Sequence, residues 1–317
     1  MDMRWRACAA AAAVAALVAG GCSSGGGDET PEKRFYLSLG DSLAVGVQPG
    51  EDGGYAETDE GYTDALYRAL YDRDSTLEHV RMGCGGEDSS TFVSGGMADC
   101  DYEEGSQLAT AEAFLQANRS DVALVTVDVG ANNFTRCAYD GSGEVGTDID
   151  EECVEDGLRR LREEAPAIAE RLRSAAGEDV QIIGMTYYNP FLAALLLEDL
   201  EGAAAGLAGE GRGDGGEPEE DSGEDLARYS NDVLAEMNRV LTEAYGAAGI
   251  DVADVSAAFE SGDFEVPAGS DTGMPANVQR ICDYTWMCNT DRGPDIHTNR
   301  AGANEIAEVF EEVVELP

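Results

Sequence analysis

The 317-residue chain is expected to fold as a doubly wound α/β sandwich of three layers, with a central, mostly parallel five-stranded sheet. Three observations predict it. Short apolar runs suited to buried strands recur at 34–39, 80–82, 122–129, 180–185 and 250–255. Helical patterns lie between them at 63–71, 107–118, 154–175 and 226–247, with a last one at 301–314. No Pro/Ser-rich linker divides the chain, so residues 34–317 are expected to form one domain. Strands alternating with helices imply a parallel sheet covered on both faces, with function at the C-terminal ends of its strands.

The N-terminus stands apart from this pattern. Arg4 and Arg6 precede an apolar stretch over 7–19 and then Gly20-Gly21-Cys22, which reads as a secretion signal over 1–21. The stretch is shorter than the roughly 20 residues a membrane-spanning helix needs, and no other segment is long and apolar enough. The small residues before Cys22 resemble a bacterial lipoprotein processing site. That implies a lipidated Cys22, a flexible tether over 22–33 and an exported protein on the outer face of the cell membrane. Cleavage as an ordinary secreted protein is the other outcome, and contact with the membrane is expected only through the lipid.

The first strand stops at Gly40-Asp41-Ser42-Leu43, as if to deliver a serine to the rim of the sheet. Read as a strand-to-helix junction, it places the Ser42 hydroxyl beside the unpaired N–H groups and positive end of a helix, where a developing oxyanion is stabilised. The predicted helix over 154–175 carries Leu158, Leu161, Ala165, Ile168 and Leu172 on one face. Two segments do not fit the sheet. Residues 201–224, dense in Gly, Glu and Asp, read as an acidic low-complexity insertion, and 258–290 as a long loop held by a disulfide.

A net charge of −44, with Lys33 the only lysine, makes nucleic acid an unsuitable partner. Beyond Cys8 and Cys22, six cysteines remain, an even set that reads as a disulfide framework in an exported chain. Neighbour pairing is the simplest: Cys84–Cys100, Cys137–Cys153 and Cys282–Cys288. No Cys-x-x-Cys pair occurs and only two histidines are present, which argues against zinc. Asp140, Ser142, Glu144 and Glu151 fall at the spacing of a calcium loop, but Val145 occupies the position that needs glycine. No metal or cofactor is expected.

A serine nucleophile needs a base, and His79 and His297 are the candidates. His79 lies in a predicted strand and reads as a packed histidine. His297, in Gly293-Pro294-Asp295-Ile296-His297-Thr298-Asn299, precedes the last helix, where a loop can carry an imidazole over the sheet rim. With these residues the chain resembles the GDSL or SGNH hydrolase superfamily, in particular its secreted actinobacterial esterases and lipases. Gly40-Asp41-Ser42-Leu43 is similar to the first block, Gly86 within Met82–Ser89 to the second, Val129-Gly130-Ala131-Asn132-Asn133 to the third, and the surroundings of His297 to the fifth. Further similarity lies at 105–108, 184–191 and 282–288.

The resemblance implies a flavodoxin-like SGNH fold and a serine esterase or lipase that acts as a monomer on a small-molecule or lipid ester. Ser42 would be the nucleophile and His297 the base; the N–H groups of Ser42 and Gly86 and the side-chain amide of Asn132 would form the oxyanion hole. Two positions depart from the family pattern. Asn133 stands where the third block usually ends in Asp, and Pro294 where the Asp three residues before the histidine is usual. Asp295 or a main-chain carbonyl such as that of Pro294 would then orient the imidazole. No Gly-x-Ser-x-Gly elbow occurs over 34–317, against an α/β-hydrolase. Two other readings use the same cleft: a non-catalytic surface protein binding glycan or lipid, and an acyltransferase.

Overall fold

A computed structural model describes residues 33–50, 54–138, 149–193 and 222–316. The proposed signal over 1–21, Cys22, nearly all of the tether, most of the 201–224 insertion and three of the four calcium-loop candidates lie outside the described residues.

Five strands form one parallel sheet: β1 (Arg34–Leu39), β4 (Leu77–Arg81), β5 (Val122–Val127), β6 (Gln181–Met185) and β7 (Asp251–Ala253). Their order across the sheet is β4-β1-β5-β6-β7. The chain winds outward from β1 to β4 and then crosses back to β5. The topological switch, and the crevice it opens, therefore lies at the C-terminal ends of β1 and β5. A separate antiparallel hairpin, β2 (Gln48–Pro49) and β3 (Tyr55–Ala56), follows the end of β1.

Burial explains why these segments are strands. Every residue of β5 is buried, and Tyr36, Leu37 and Leu39 of β1 have no exposed surface. A run of β-branched and aliphatic residues hidden on both faces is what a central parallel strand requires. The helices α1 (Tyr62–Tyr71), α2 (Ser89–Ser94), α3 (Gln107–Ala117), α4 (Glu151–Ala176), α5 (Ser222–Ala247), α6 (Val255–Ala258), α7 (Ala276–Tyr284) and α8 (Arg300–Val313) flank the sheet in two packed groups. One joins α1 with α8, against which α6 and α7 also pack; the other joins α2, α3, α4 and α5. On α4 the predicted face is buried at Leu161, Ala165, Ile168 and Leu172, while Leu158 is half-buried.

Two expectations are corrected here. No helix follows Ser42: the chain makes a tight turn and the β2–β3 hairpin, and α1 begins only at Tyr62. At Gly46, with φ 61°, the backbone lies so close to Gly61 that an added Cβ would stand 2.4 Å from the Gly61 nitrogen. That close approach bends the segment back before a helix can propagate. The segment 258–290 is not wholly a loop, because it contains α7, whose Val278 and Ile281 are buried. The three disulfides pair as neighbours, as expected.

His79 is packed within β4. Its ring stacks on Tyr36 at 4.6 Å between centroids, and its Nε2 lies 2.9 Å from Ser38 Oγ. Burial, reinforced by the Arg81 charge, pulls its pKa down from 6.5 to about 3. Between these values the unfolded chain binds a proton that the folded chain does not. Stability from this group is therefore present above pH 6.5 and lost as pH falls towards 3, with a slope of about 1.4 kcal/mol per pH unit at most. Urea unfolding of His79→Gln between pH 6.5 and 4 should show a shallower acid loss than the wild type. An identical slope would mean that the imidazole titrates normally.

Candidate active site

The turn that carries Ser42 is built by Gly40 and Asp41. Gly40 takes φ 143°, and Val47 N–H donates to Ser42 O at 2.9 Å. Asp41 Oδ1 accepts Leu43 N–H at 2.9 Å, while its Oδ2 accepts the Tyr187 hydroxyl at 3.2 Å. Asp41 N–H in turn donates to Asp128 Oδ1 at 3.2 Å. Ser42 itself stays half-buried, and among the described residues neither its N–H nor its hydroxyl finds a protein partner. The Ser42 N–H thus belongs to a turn rather than a helix end.

Two carboxyl groups lie directly behind this turn. Asp128 is fully buried just after β5, and its Oδ2 has no hydrogen-bond partner. Burial, then the neighbouring Asp41 charge, pushes its pKa well above its ordinary value. Burial also pushes Asp41 up to about 6, against the opposing pull of the Leu43 N–H, the Tyr187 hydroxyl and the His297 charge. The sequence reading missed Asp128. Its signal was one acid interrupting the apolar run over 122–129.

Gly86 follows β4 with φ 87°, in a loop clipped by the Cys84–Cys100 bond. Among the described residues its N–H also lacks an intramolecular acceptor. Asn132 sits in a single 3-10 turn, Ala131–Asn133, directly beyond β5 and Gly130. Its Nδ2 donates to Glu87 O at 3.0 Å and its Oδ1 accepts the Thr135 hydroxyl at 3.2 Å. Those two bonds fix the amide's orientation and leave one N–H of the Asn132 side chain to donate elsewhere. Asn133, the departure from the family pattern, holds the turn without a charge. Its Oδ1 accepts Ser89 N–H at 2.9 Å, and its Nδ2 donates to Ser89 Oγ at 2.7 Å and Gly157 O at 3.3 Å.

His297 is held from several sides. Trp286 N–H donates to His297 O at 3.0 Å, Gln48 Nε2 to Thr298 O at 3.0 Å, and the Tyr188 hydroxyl to Ile296 O at 3.0 Å. Asn299 then caps α8 through Ala301 N–H and Gly302 N–H. Of the two candidate orienters, it is the carboxylate that meets the ring: Asp295 Oδ1 lies 2.9 Å from His297 Nδ1 and 3.0 Å from its backbone N. Burial would raise the Asp295 pKa, but the hydrogen bonds and charge of His297 outweigh it and hold the carboxyl below its usual range. Nδ1 is thereby committed, and Nε2 is the nitrogen left for chemistry. Tyr55, 67 % exposed, stands edge-on to the His297 ring at 5.8 Å.

Ser42, Asn132 and His297 line one cavity of ≈ 110 Å³, although no hydrogen bond joins the Ser42 hydroxyl to the imidazole. Gly86 does not line it and reaches the group through Glu87, whose carbonyl holds Asn132. The remaining wall is mostly apolar, including Leu43, Phe134, Val154, Leu234 and Met237, and carries no Lys or Arg among the described residues. Those described residues also hold no group of three or more His, Cys, Asp or Glu placed to bind a metal ion.

The parallel five-stranded sheet is followed by a serine turn after β1, a glycine loop after β4, an asparagine turn after β5 and a histidine before the last helix. Residues 38–304 match the model of the GDSL-like lipase/acylhydrolase family, and the chain belongs to that family. Among solved structures, the extracellular lipase of Streptomyces rimosus is similar in fold. It is 15% identical with a TM-score of 0.50, the match covering 88% of this chain and 99% of that one. The lipase Lip_vut3 from a goat rumen metagenome is 15% identical over 88% of this chain and 97% of its own, with a TM-score of 0.49. No curated protein matches the chain.

Proposed function

We propose that the protein is a serine esterase that hydrolyses carboxylic esters with an uncharged acyl part, through an acyl-enzyme on Ser42. One observation carries this reading: Ser42 and the His297 ring, with Nδ1 tied to Asp295, share a single cavity beside the Ser42 N–H, which lacks a protein acceptor among the described residues. His297 Nε2 takes the Ser42 proton as Oγ attacks the ester carbonyl. The tetrahedral oxyanion accepts hydrogen bonds from Ser42 N–H, Gly86 N–H and the Asn132 amide. Its collapse expels the alcohol, which leaves with the proton from His297. Water then attacks the acyl-enzyme with the imidazole as base again, releasing the acid and restoring the serine.

The apolar wall and the absence of a cation from it among the described residues favour an aliphatic acyl group over a carboxylate- or phosphate-bearing one, whose charge would be buried unpaired beside Asp41. Three disulfides and a secretion-type N-terminus support an exported enzyme, lipidated at Cys22 or released. A fluorophosphonate probe tests the core of the proposal, because it reacts with an activated serine. Wild-type protein should be labelled on the peptide containing Ser42 and Ser42→Ala should not. A folded wild type that resists the probe would overturn the reading.

A further inference from the structure

The groups that would bind the oxyanion come from different loops, so something must keep them in register with the nucleophile. We propose that Gln107, Tyr102 and Glu87 are positioning residues that join the serine turn to the oxyanion loop through one chain of hydrogen bonds. This rests on the esterase reading above.

The chain begins at Gly40, whose N–H donates to Gln107 Oε1 at 2.6 Å. That bond fixes which end of the Gln107 amide faces the turn, since a backbone N–H can only donate. The amide nitrogen must therefore donate: one N–H goes to Gly40 O at 3.0 Å and the other to the Tyr102 oxygen at 2.9 Å. The phenol's single proton is then left for Glu87 Oε1, 3.0 Å away. Glu87 Oε2 accepts from the Thr91 hydroxyl at 3.1 Å, and Glu87 O receives the Asn132 amide at 3.0 Å. Glu87 adjoins Gly86 in sequence. One end of this relay is Gly40 of the serine turn, and the other meets Gly86 and Asn132, assigned above as oxyanion donors.

Burial makes the relay rigid. Gln107 and Glu87 have no exposed surface, and a polar group so placed is costly to leave unpaired. Burial raises the Glu87 carboxyl above its ordinary value, with Tyr102 and Thr91 pulling the other way. What the geometry requires of Glu87 is an acceptor at Oε1, which either a carboxylate or a carboxamide supplies. The Cys84–Cys100 bond closes the loop that brings Tyr102, two residues beyond it, over Glu87.

The test measures turnover of a short-chain chromogenic ester per fluorophosphonate-reactive site, so that unfolded material does not count. Tyr102→Phe, which keeps the ring, and Glu87→Leu should each lower kcat about 10- to 100-fold with KM within about twofold, as expected when donors are slightly misplaced. The double variant should be no slower than the slower single, because both cut one chain. Glu87→Gln should recover most of what Glu87→Leu loses. An unchanged kcat in Tyr102→Phe, or losses that multiply independently, would overturn the relay. If Ser42→Ala kept its activity, the esterase reading would fail first, and the two failures are thereby separate.

Discussion

Replacing Ser42 with alanine should lower kcat/KM for ester hydrolysis by about 10⁴-fold or more, and His297→Ala should do the same. The double variant should lose no more than either single, because serine and imidazole act in one proton transfer and neither works without the other. The fold should survive: among the described residues the Ser42 hydroxyl bonds no protein group, and at position 297 the backbone O still accepts Trp286 N–H and the backbone N–H still donates to the Asp295 carboxylate whatever the side chain. Circular dichroism and melting should therefore match the wild type while hydrolysis disappears. Turnover within tenfold of the wild type in either purified variant would remove that residue from the chemistry.

Gly40→Ala should have the opposite character, abolishing the folded protein rather than only its activity. A Cβ built on Gly40 would stand 1.3 Å from Asp128 Oδ1 and 2.6 Å from the Asp128 carbonyl oxygen. The side-chain clash could be relieved by a rotamer change, at the cost of the bond to Asp41 N–H. The carbonyl clash could not, because Asp128 directly follows β5 in the middle of the sheet. At φ 143° the substituted residue would also be strained. Steric overlap between two central strand ends is expected to cost about 4 kcal/mol or more, within the rare upper range for single substitutions. Soluble yield and thermal melting check this, and Gly40→Ala/Asp128→Ala should not restore stability. Wild-type melting of Gly40→Ala would show that the strand ends can part freely.

The parts of this architecture that were legible in the sequence are those with a local physical cause. Apolar runs such as 122–129 mark central strands because both faces are buried, and the spacing of Leu161, Ala165, Ile168 and Leu172 marks a helix because one face is. Ser42 and His297 stood out because short motifs place them at strand and helix boundaries. The turn after Ser42 was misread as a helix start because its apolar residues, Leu43 to Val47, pack inward from an irregular segment that the close pass of Gly46 and Gly61 creates. Pairings such as Gly40 with Gln107 or Asn133 with Ser89 join distant stretches and leave no periodicity along the chain. They appear only when the sheet has brought its loops together.

The cystines sort themselves by what they hold. The bonds close spans of 16, 16 and 6 residues, and each clips a loop outside the sheet: the Gly86 loop, the ground between Asn132 and α4, and the run that pairs with His297. None of them bridges one sheet strand to another. The scaffold accordingly answers to water, through its buried strands, and the mouth answers to oxidant. The loops beside Gly86, Asn132 and His297 are therefore closed covalently only where thiols are oxidised.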